Sequence, residues 1–254
     1  MSLSREGGLS GTAGNRNQRG AAIPNPQSSA VEVVATIGGV RVRRRRGERA
    51  LNFVAGMAID ADGAPRAYHP RGSPPGLDLL ANAGRPAKAG HPAKWWGVVT
   101  DPHGEPVVQR ASDPAPGFYV STTALEDPRR GERDPRRYVD SSTIAYVVVP
   151  GRLVEVAQVR LGDFAVVRNR RNEKIVHAIV ADTGPPGKIG EGSIALARKL
   201  GIPHSPKSGG QSGDVVYVVF TGSGNGRPRS QAEIDRHAAQ LLDGWGGRDR
   251  LARL

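Results

Sequence analysis

The chain has 254 residues, enough to bury a full core, but only 37% are hydrophobic and 34 are glycine and 20 proline, so long helical bundles are not expected. It has no cysteine, which excludes both a disulfide framework and a thiolate metal site. The net charge of +12 is unevenly spread: residues 1–47 hold 8 Lys/Arg and 2 Asp/Glu, residues 227–254 hold 6 and 4, and the middle keeps +4.

The first 30 or so residues are rich in Ser, Gly, Asn and Arg without periodicity and are expected to form a disordered leader. They lack the apolar core of a signal peptide, and no window of the chain approaches eighteen consecutive apolar residues. The expectation is a soluble chain with no membrane span and no assigned location. Val31 to Ile37 offers one possible strand, followed by a Gly38-Gly39 turn and the run Arg43-Arg44-Arg45-Arg46. Such a run suits phosphates or an anionic polymer, but it reads first as a solvated or flexible arm. With aromatics at 5%, no specific nucleic-acid partner is expected.

From Leu51 the pattern becomes regular. LNFVAGMAID, an Asp62-Gly63 turn and APRAYHP suggest a β-hairpin. Further short strands are expected at Trp95–Val99, Pro106–Gln109, Phe118–Ser121, Ile144–Val149, Asp163–Val167, Lys174–Ala181 and Val215–Phe220, with the arginine-rich stretch Pro128–Arg137 as a surface insertion. Frequent turn signals between short strands favour a barrel or sandwich. Two helices stand out. Ser193–Leu200 begins with a capping serine and ends at Gly201; Gln231–Asp243 has Ser230 and Glu233 in a capping box and Gly244 at its end.

Chemistry concentrates in KIVHAIVADTGPPGKIGEGSIALARKLGI, Lys174 to Ile202. A β run delivers Asp182, a Gly/Pro loop follows, and Glu191 stands just before a helix. Two carboxylates held around one short loop suit glycoside hydrolysis, in which one carboxyl protonates the leaving oxygen and the other activates water or attacks carbon. Apolar strand neighbours favour Asp182 as the acid, and the helix start favours a charged, base-like Glu191. Spacing alone leaves open the plainer reading, in which Asp182 starts an Asx turn and Glu191 complements the helix dipole.

The run D-T-G-x-x-G-K-I-G-E-G-S-I-A-L-A, with Y-V-V-V-P upstream (Tyr146–Pro150), D-V-V-Y-V-V-F downstream (Asp214–Phe220) and the early A-I-D-A-D-G (Ala58–Gly63), resembles the chitosanases of glycoside hydrolase family 75 in both blocks and order, over roughly residues 50–222. The resemblance implies an endo-acting, inverting hydrolase of β-1,4-linked glucosamine polymers, with the paired catalytic acids at Asp182 and Glu191. It also implies relatives that are secreted and carry a cysteine where Ala61 stands here. A strand leading into D-T-G-x-x-x-x-I-x-G is similar, over about ten residues, to membrane-bound lytic transglycosylases, which are double-psi β-barrels using one aspartic acid. In that alternative Asp182 is again the acid and peptidoglycan the substrate; a non-catalytic glycan-binding barrel is the third reading.

Other residues complete the expected site. Asp60 and Asp62 in D-A-D-G could line a sugar cleft, and a carboxylate facing a glucosamine amine is chemically apt; a β-hairpin turn is the alternative, and it accounts for Asp62 better than for Asp60. One indole of Trp95-Trp96 is suited to stack on a sugar while its neighbour packs inward, with core packing of both as an equal alternative. Thr183 could position sugar or water through its hydroxyl. No metal and no cofactor are expected: the histidines form no ligand pair, and neither a G-x-S-x-G elbow nor a dinucleotide loop occurs. The expected architecture is mainly β with a few short helices: a six-stranded double-psi-like β-barrel with extra strands and a C-terminal helix. It divides into a basic leader (1–47), a catalytic domain (48–226) and a terminal helix and tail (227–254), acting as a monomer on a polysaccharide.

Overall fold

A computed structural model describes residues 30–89 and 91–254. The expected disordered leader, residues 1–29, lies outside the described residues. The ordered chain opens with β1 (Val31–Ile37) and β2 (Val40–Arg45), an antiparallel pair. Gly38 and Gly39 turn between them with φ of 54° and 82°, the left-handed pair that suits a two-residue hairpin. The arginine run is thus largely strand: Arg44 reaches from β2 to donate to the carbonyl of Ala157 at 2.8 Å, at the C-terminus of a helix where a cation is favoured.

Next comes β3 (Ala50–Asp60), which from Leu51 onward alternates buried positions with more exposed ones, in keeping with its sequence pattern. After the short α1 (Leu80–Ala83) and the two-residue strands β4 (Gly84–Arg85) and β5 (Lys94–Trp95), a long connection with one 3-10 turn at Pro135–Arg137 leads to the remaining elements. They are β6 (Tyr146–Pro150), α2 (Gly151–Ala157), β7 (Phe164–Asn169) and β8 (Ile175–Gly184). Then come β9 (Glu191–Ser193), α3 (Ile194–Leu200), β10 (Gln211–Phe220), α4 (Gln231–Trp245) and α5 (Gly247–Ala252).

Strands β3, β10, β7, β8, β6 and β9 are hydrogen-bonded in that order, and β9 pairs back onto β3, closing a six-stranded mixed β-barrel. The β6–β8 and β3–β9 pairs are parallel, and the other four are antiparallel. β1 and β2 extend the sheet beyond β3. Alternate strand residues feed two cores. One gathers Leu51, Phe53, Met57, Val147, Val167, Tyr217 and the buried face of α3. The other gathers Tyr146, Val166, Ile179, Val218 and the residues Ile234, Ala238 and Leu242 of α4. β6 and β7 are buried at every position; β6 reads as a continuous apolar run, as does β7 from Phe164 to Val167 before it ends in the buried polar pair Arg168 and Asn169.

Several expected elements change shape. The APRAYHP arm does not return as a strand: Ala64 donates to the Ala61 carbonyl and Ala67 to that of Ala64, so the chain coils in tight turns that bury Ala61, Ala64, Ala67 and Tyr68. Prolines 65, 70, 74 and 75 remove donors that a ladder needs. The strands expected at 95–99, 106–109 and 118–121 reduce to β5 and the single bridges Val98–Ser121, Thr100–Pro106 and Val108–Tyr119. α2 was not anticipated, because Val-Glu-Val favours strand; the helix forms since its i, i+4 pair Leu153 and Ala157 is buried in the first core. α4 runs through Gly244 to Trp245 and ends on Gly246 at φ 116°. Its Ser230–Glu233 capping box and the Ser193 cap of α3 both form. Among the described residues no helix is long and apolar enough to cross a membrane.

Candidate active site

Three strands converge on one end of the barrel. Val148 of β6 pairs with Asp182 of β8 on one side and with Glu191 of β9 on the other. Neighbouring strands lie about 4.8 Å apart, which sets the two acidic Cα atoms about 10 Å from each other. Asp182 reaches this position through a bulge: Val147 pairs with Val180 but Val148 with Asp182, so Ala181 is the extra residue that turns Asp182 to the face of Val148. Bulges of this kind re-aim a side chain without interrupting the strand. Accordingly β8 continues past Asp182 through Gly184, and Glu191 opens a strand of its own before α3 begins.

Glycines make the Glu191 strand possible. At Gly190, φ is 91° and a Cβ would sit 2.5 Å from the Gly56 carbonyl oxygen. At Gly192 a Cβ would meet Leu196 Cδ2 at 2.7 Å and the Tyr146 carbonyl at 3.0 Å. The strand carrying Glu191 therefore lies against β3 and β6 more closely than a side chain would permit.

Asp182, Glu191, Asp60, Asp62, Asp78, Thr183 and Trp96 all line one cleft of about 520 Å³, within the usual range of ligand pockets. Its polar network is well defined. Asp182 Oδ1 accepts from the Thr183 and Ala124 backbone N–H groups at 2.7 and 3.1 Å. Asp60 Oδ1 accepts from the Asp62 N–H at 2.9 Å, and Asp60 Oδ2 lies 2.9 Å from the Tyr146 hydroxyl. The Tyr68 hydroxyl donates to Asp62 Oδ1 at 2.6 Å, and Asp78 is held by Asn82 Nδ2 and the Leu79 N–H.

This crowding sets the protonation. Burial, then the charge of Asp60, push Asp182 up to about 8, against the pull of its two backbone donors. Burial and Asp60 also push Glu191 up to about 7, with Lys188 acting the other way. The helix start therefore does not hold Glu191 ionised; desolvation outweighs it. Asp60 is raised by burial despite its two donors, and Asp62 is raised well above the usual range by burial and by Asp60 and Asp182. All four side chains are half-buried, open to the cleft but sunk below its rim.

Trp96 is exposed and fixed by a bond from its Nε1 to the Asn82 carbonyl at 2.6 Å, so its ring borders the cleft as a rigid plate. Trp95 does not line the cleft. It is half-buried, packed on the first core and 5.9 Å from the Tyr119 ring, as pleating requires of its neighbour. Thr183 is exposed at the mouth. Sequence reasoning missed Tyr146, Tyr68, Asp78 and Lys188. Tyr146 stands in the quoted Y-V-V-V-P block, where it reads as one more apolar strand residue, and Tyr68 lies in the arm expected to be a strand. Among the described residues no group of three or more His, Cys, Asp or Glu side chains is arranged to hold a metal ion.

Two comparisons bear on this geometry. The family model described as fungal chitosanase of glycosyl hydrolase group 75 matches residues 120–243, a stretch that includes β6 to β10, both Asp182 and Glu191, and most of α4. It starts after β3, so Asp60 and Asp62 fall outside the match. No curated protein matches the chain.

Proposed function

Residues 120–243 make the chain a member of the chitosanase family of glycosyl hydrolase group 75, and hence a glycoside hydrolase; from that premise we propose that it cuts β-1,4-linked glucosamine polymers internally, with inversion, using Asp182 as acid and Glu191 as base. The observation that carries the reading is the placement of the two carboxylates in register on either side of Val148. Cα atoms about 10 Å apart suit the carboxyl separation of about 6.5–9.5 Å used by inverting enzymes rather than the roughly 5 Å used by retaining ones.

The order of protonation supports the division of labour. Asp182, at about 8, keeps its proton near neutrality, whereas Glu191, at about 7, gives its proton up first. In the step itself the Asp182 proton passes to the leaving glycosidic oxygen as its bond to the anomeric carbon breaks. Glu191 takes a proton from a water on the opposite face, and the water oxygen bonds to that carbon. The products are a chain with a free 4-hydroxyl and a hemiacetal of inverted configuration. Trp96 offers a face for a sugar ring, Thr183 a hydroxyl at the mouth, and Asp60 a negative charge beneath the sugar amine. Two parallel pairings within the antiparallel remainder favour the double-psi-like reading of the barrel.

The test is product analysis. Chitosan, chitin oligomers and peptidoglycan are incubated with the protein, and new ends are read by NMR and mass spectrometry. Glucosamine oligomers whose first-formed anomer is inverted are expected. A retained anomer would overturn the mechanism, anhydro-muramyl ends would replace the hydrolase with a transglycosylase, and binding without cleavage would leave a glycan-binding barrel.

A further inference from the structure

The cleft that holds Asp182 and Glu191 has a neighbour. On the far side of α1 lies a second recess of about 810 Å³, bounded by Leu80, Ala81, Arg85, Lys88, His91 and Lys94. Ala81 walls both, so the two spaces adjoin. Their charges are opposite. The cleft is floored by Asp60, Asp62, Asp78, Asp182 and Glu191, with Lys188 as its one lining cation among the described residues. The recess presents Arg85, Lys88 and Lys94, all exposed, and no carboxylate lines it among the described residues. The sequence is equally one-sided: no Asp or Glu occurs between Leu79 and Thr100.

A polymer of protonated glucosamine alone fits only half of this surface. Sugars leaving the cleft past Ala81 would carry ammonium groups toward Arg85, Lys88 and Lys94, and like charges brought together oppose binding. A polymer carrying carboxylates as well as amines meets complementary charge on both sides. The recess also has apolar walls, including Leu80, Pro86 and Pro92, suited to the carbon atoms that link a carboxylate to a sugar. We infer that the recess beside α1 is a subsite for carboxylate-bearing substituents, and that the preferred substrate is an aminosugar polymer with both amine and carboxylate groups. This inference rests on the glucosaminide-cleaving reading of the cleft and specifies its substrate class.

The experiment compares chitosan with O-carboxymethyl chitosan matched in length and free-amine content, using the full chain and its Lys88→Glu/Lys94→Glu variant. At low ionic strength kcat/KM is expected to favour the carboxymethylated polymer by about tenfold, a preference that the variant loses or reverses and that salt erodes in the parent. Preference of the parent for plain chitosan, or an unchanged ratio in the variant, would overturn the inference. Affinity electrophoresis in gels containing either polymer reads the same contrast without turnover. If neither polymer is cut, the hydrolase reading fails. The recess is then judged by retardation alone: stronger in the carboxymethylated gel and abolished by the variant supports it, and equal retardation overturns it.

Discussion

The hydroxyl of Tyr146 and the Oδ2 of Asp60 meet at 2.9 Å although 86 residues separate them in sequence. The contact ties β6 to the end of β3 and fixes the carboxylate whose charge raises both Asp182 and Glu191. Asp60 has each oxygen held by one protein donor, so besides the charge it offers to a sugar amine it is fixed where its field acts on both carboxyls. Asp60→Asn removes that charge while keeping an oxygen to accept a hydrogen bond. Both limbs of the pH profile of kcat/KM are expected to move to lower pH. A profile that keeps its limbs while losing amplitude would show that Asp60 acts on the substrate alone and does not tune the two carboxyls.

For the parent chain, the proposed acid–base mechanism puts the same carboxyls in control of the profile. Glu191 must lose its proton, at about 7, and Asp182 must keep its own, up to about 8. A narrow bell between those limbs is expected for kcat/KM, read on soluble oligomers. Glu191→Gln should remove the acidic limb along with most of the activity.

Removing either carboxyl should cost activity more than stability. Asp182→Asn and Glu191→Gln are each expected to lower kcat by at least about 10²-fold, in line with the loss of a general acid or base. Circular dichroism and urea unfolding check that the barrel stays closed. Wild-type turnover in either variant would take that residue out of the mechanism.

The raised carboxyls also make stability depend on pH. Asp182 titrates near 3.8 when unfolded and about 8 when folded, so the folded chain binds more protons across that interval. Its contribution is fully present below pH 3.8 and is lost as pH rises through about 8. Glu191 behaves alike between 4.5 and about 7. Melting temperatures followed upward from pH 4 should carry this declining contribution, and Asp182→Asn should flatten the decline.

Packing around Glu191 leaves no room for growth. Gly192→Ala would drive a methyl group into Leu196 Cδ2 and the Tyr146 carbonyl, at 2.7 and 3.0 Å. A loss of about 1–3 kcal/mol in urea unfolding is expected, the usual cost of overpacking, together with reduced turnover as Glu191 shifts.

How much of this was legible in the sequence depended on how local its cause was. β3 follows from alternation, β10 from the apolar run Val215–Phe220, and the Ser230–Glu233 box announces α4. Asp182 and Glu191 were readable as a pair because one short loop joins them. Ala61, Ala64 and Ala67 misled because tight turns can bury every third residue as readily as a strand buries every second. The bulge at Ala181 was hidden, since it exists only in the register between β8 and β6. Tyr146 was hidden for a related reason: nothing near it in the chain indicates that a fold will set it beside Asp60, 86 residues away.

The strand that seals the barrel against β3 is only three residues long, and its first residue is Glu191. Seam and reagent are therefore one object. A polypeptide cut or re-joined between Gly184 and Glu191 would have to rebuild its cylinder and the carboxylate proposed to activate water in the same event, so neither property can drift independently of the other. A chain refolding from denaturant should regain turnover no sooner than the three ladder positions Ala58–Glu191, Ile59–Gly192 and Asp60–Ser193 are zipped.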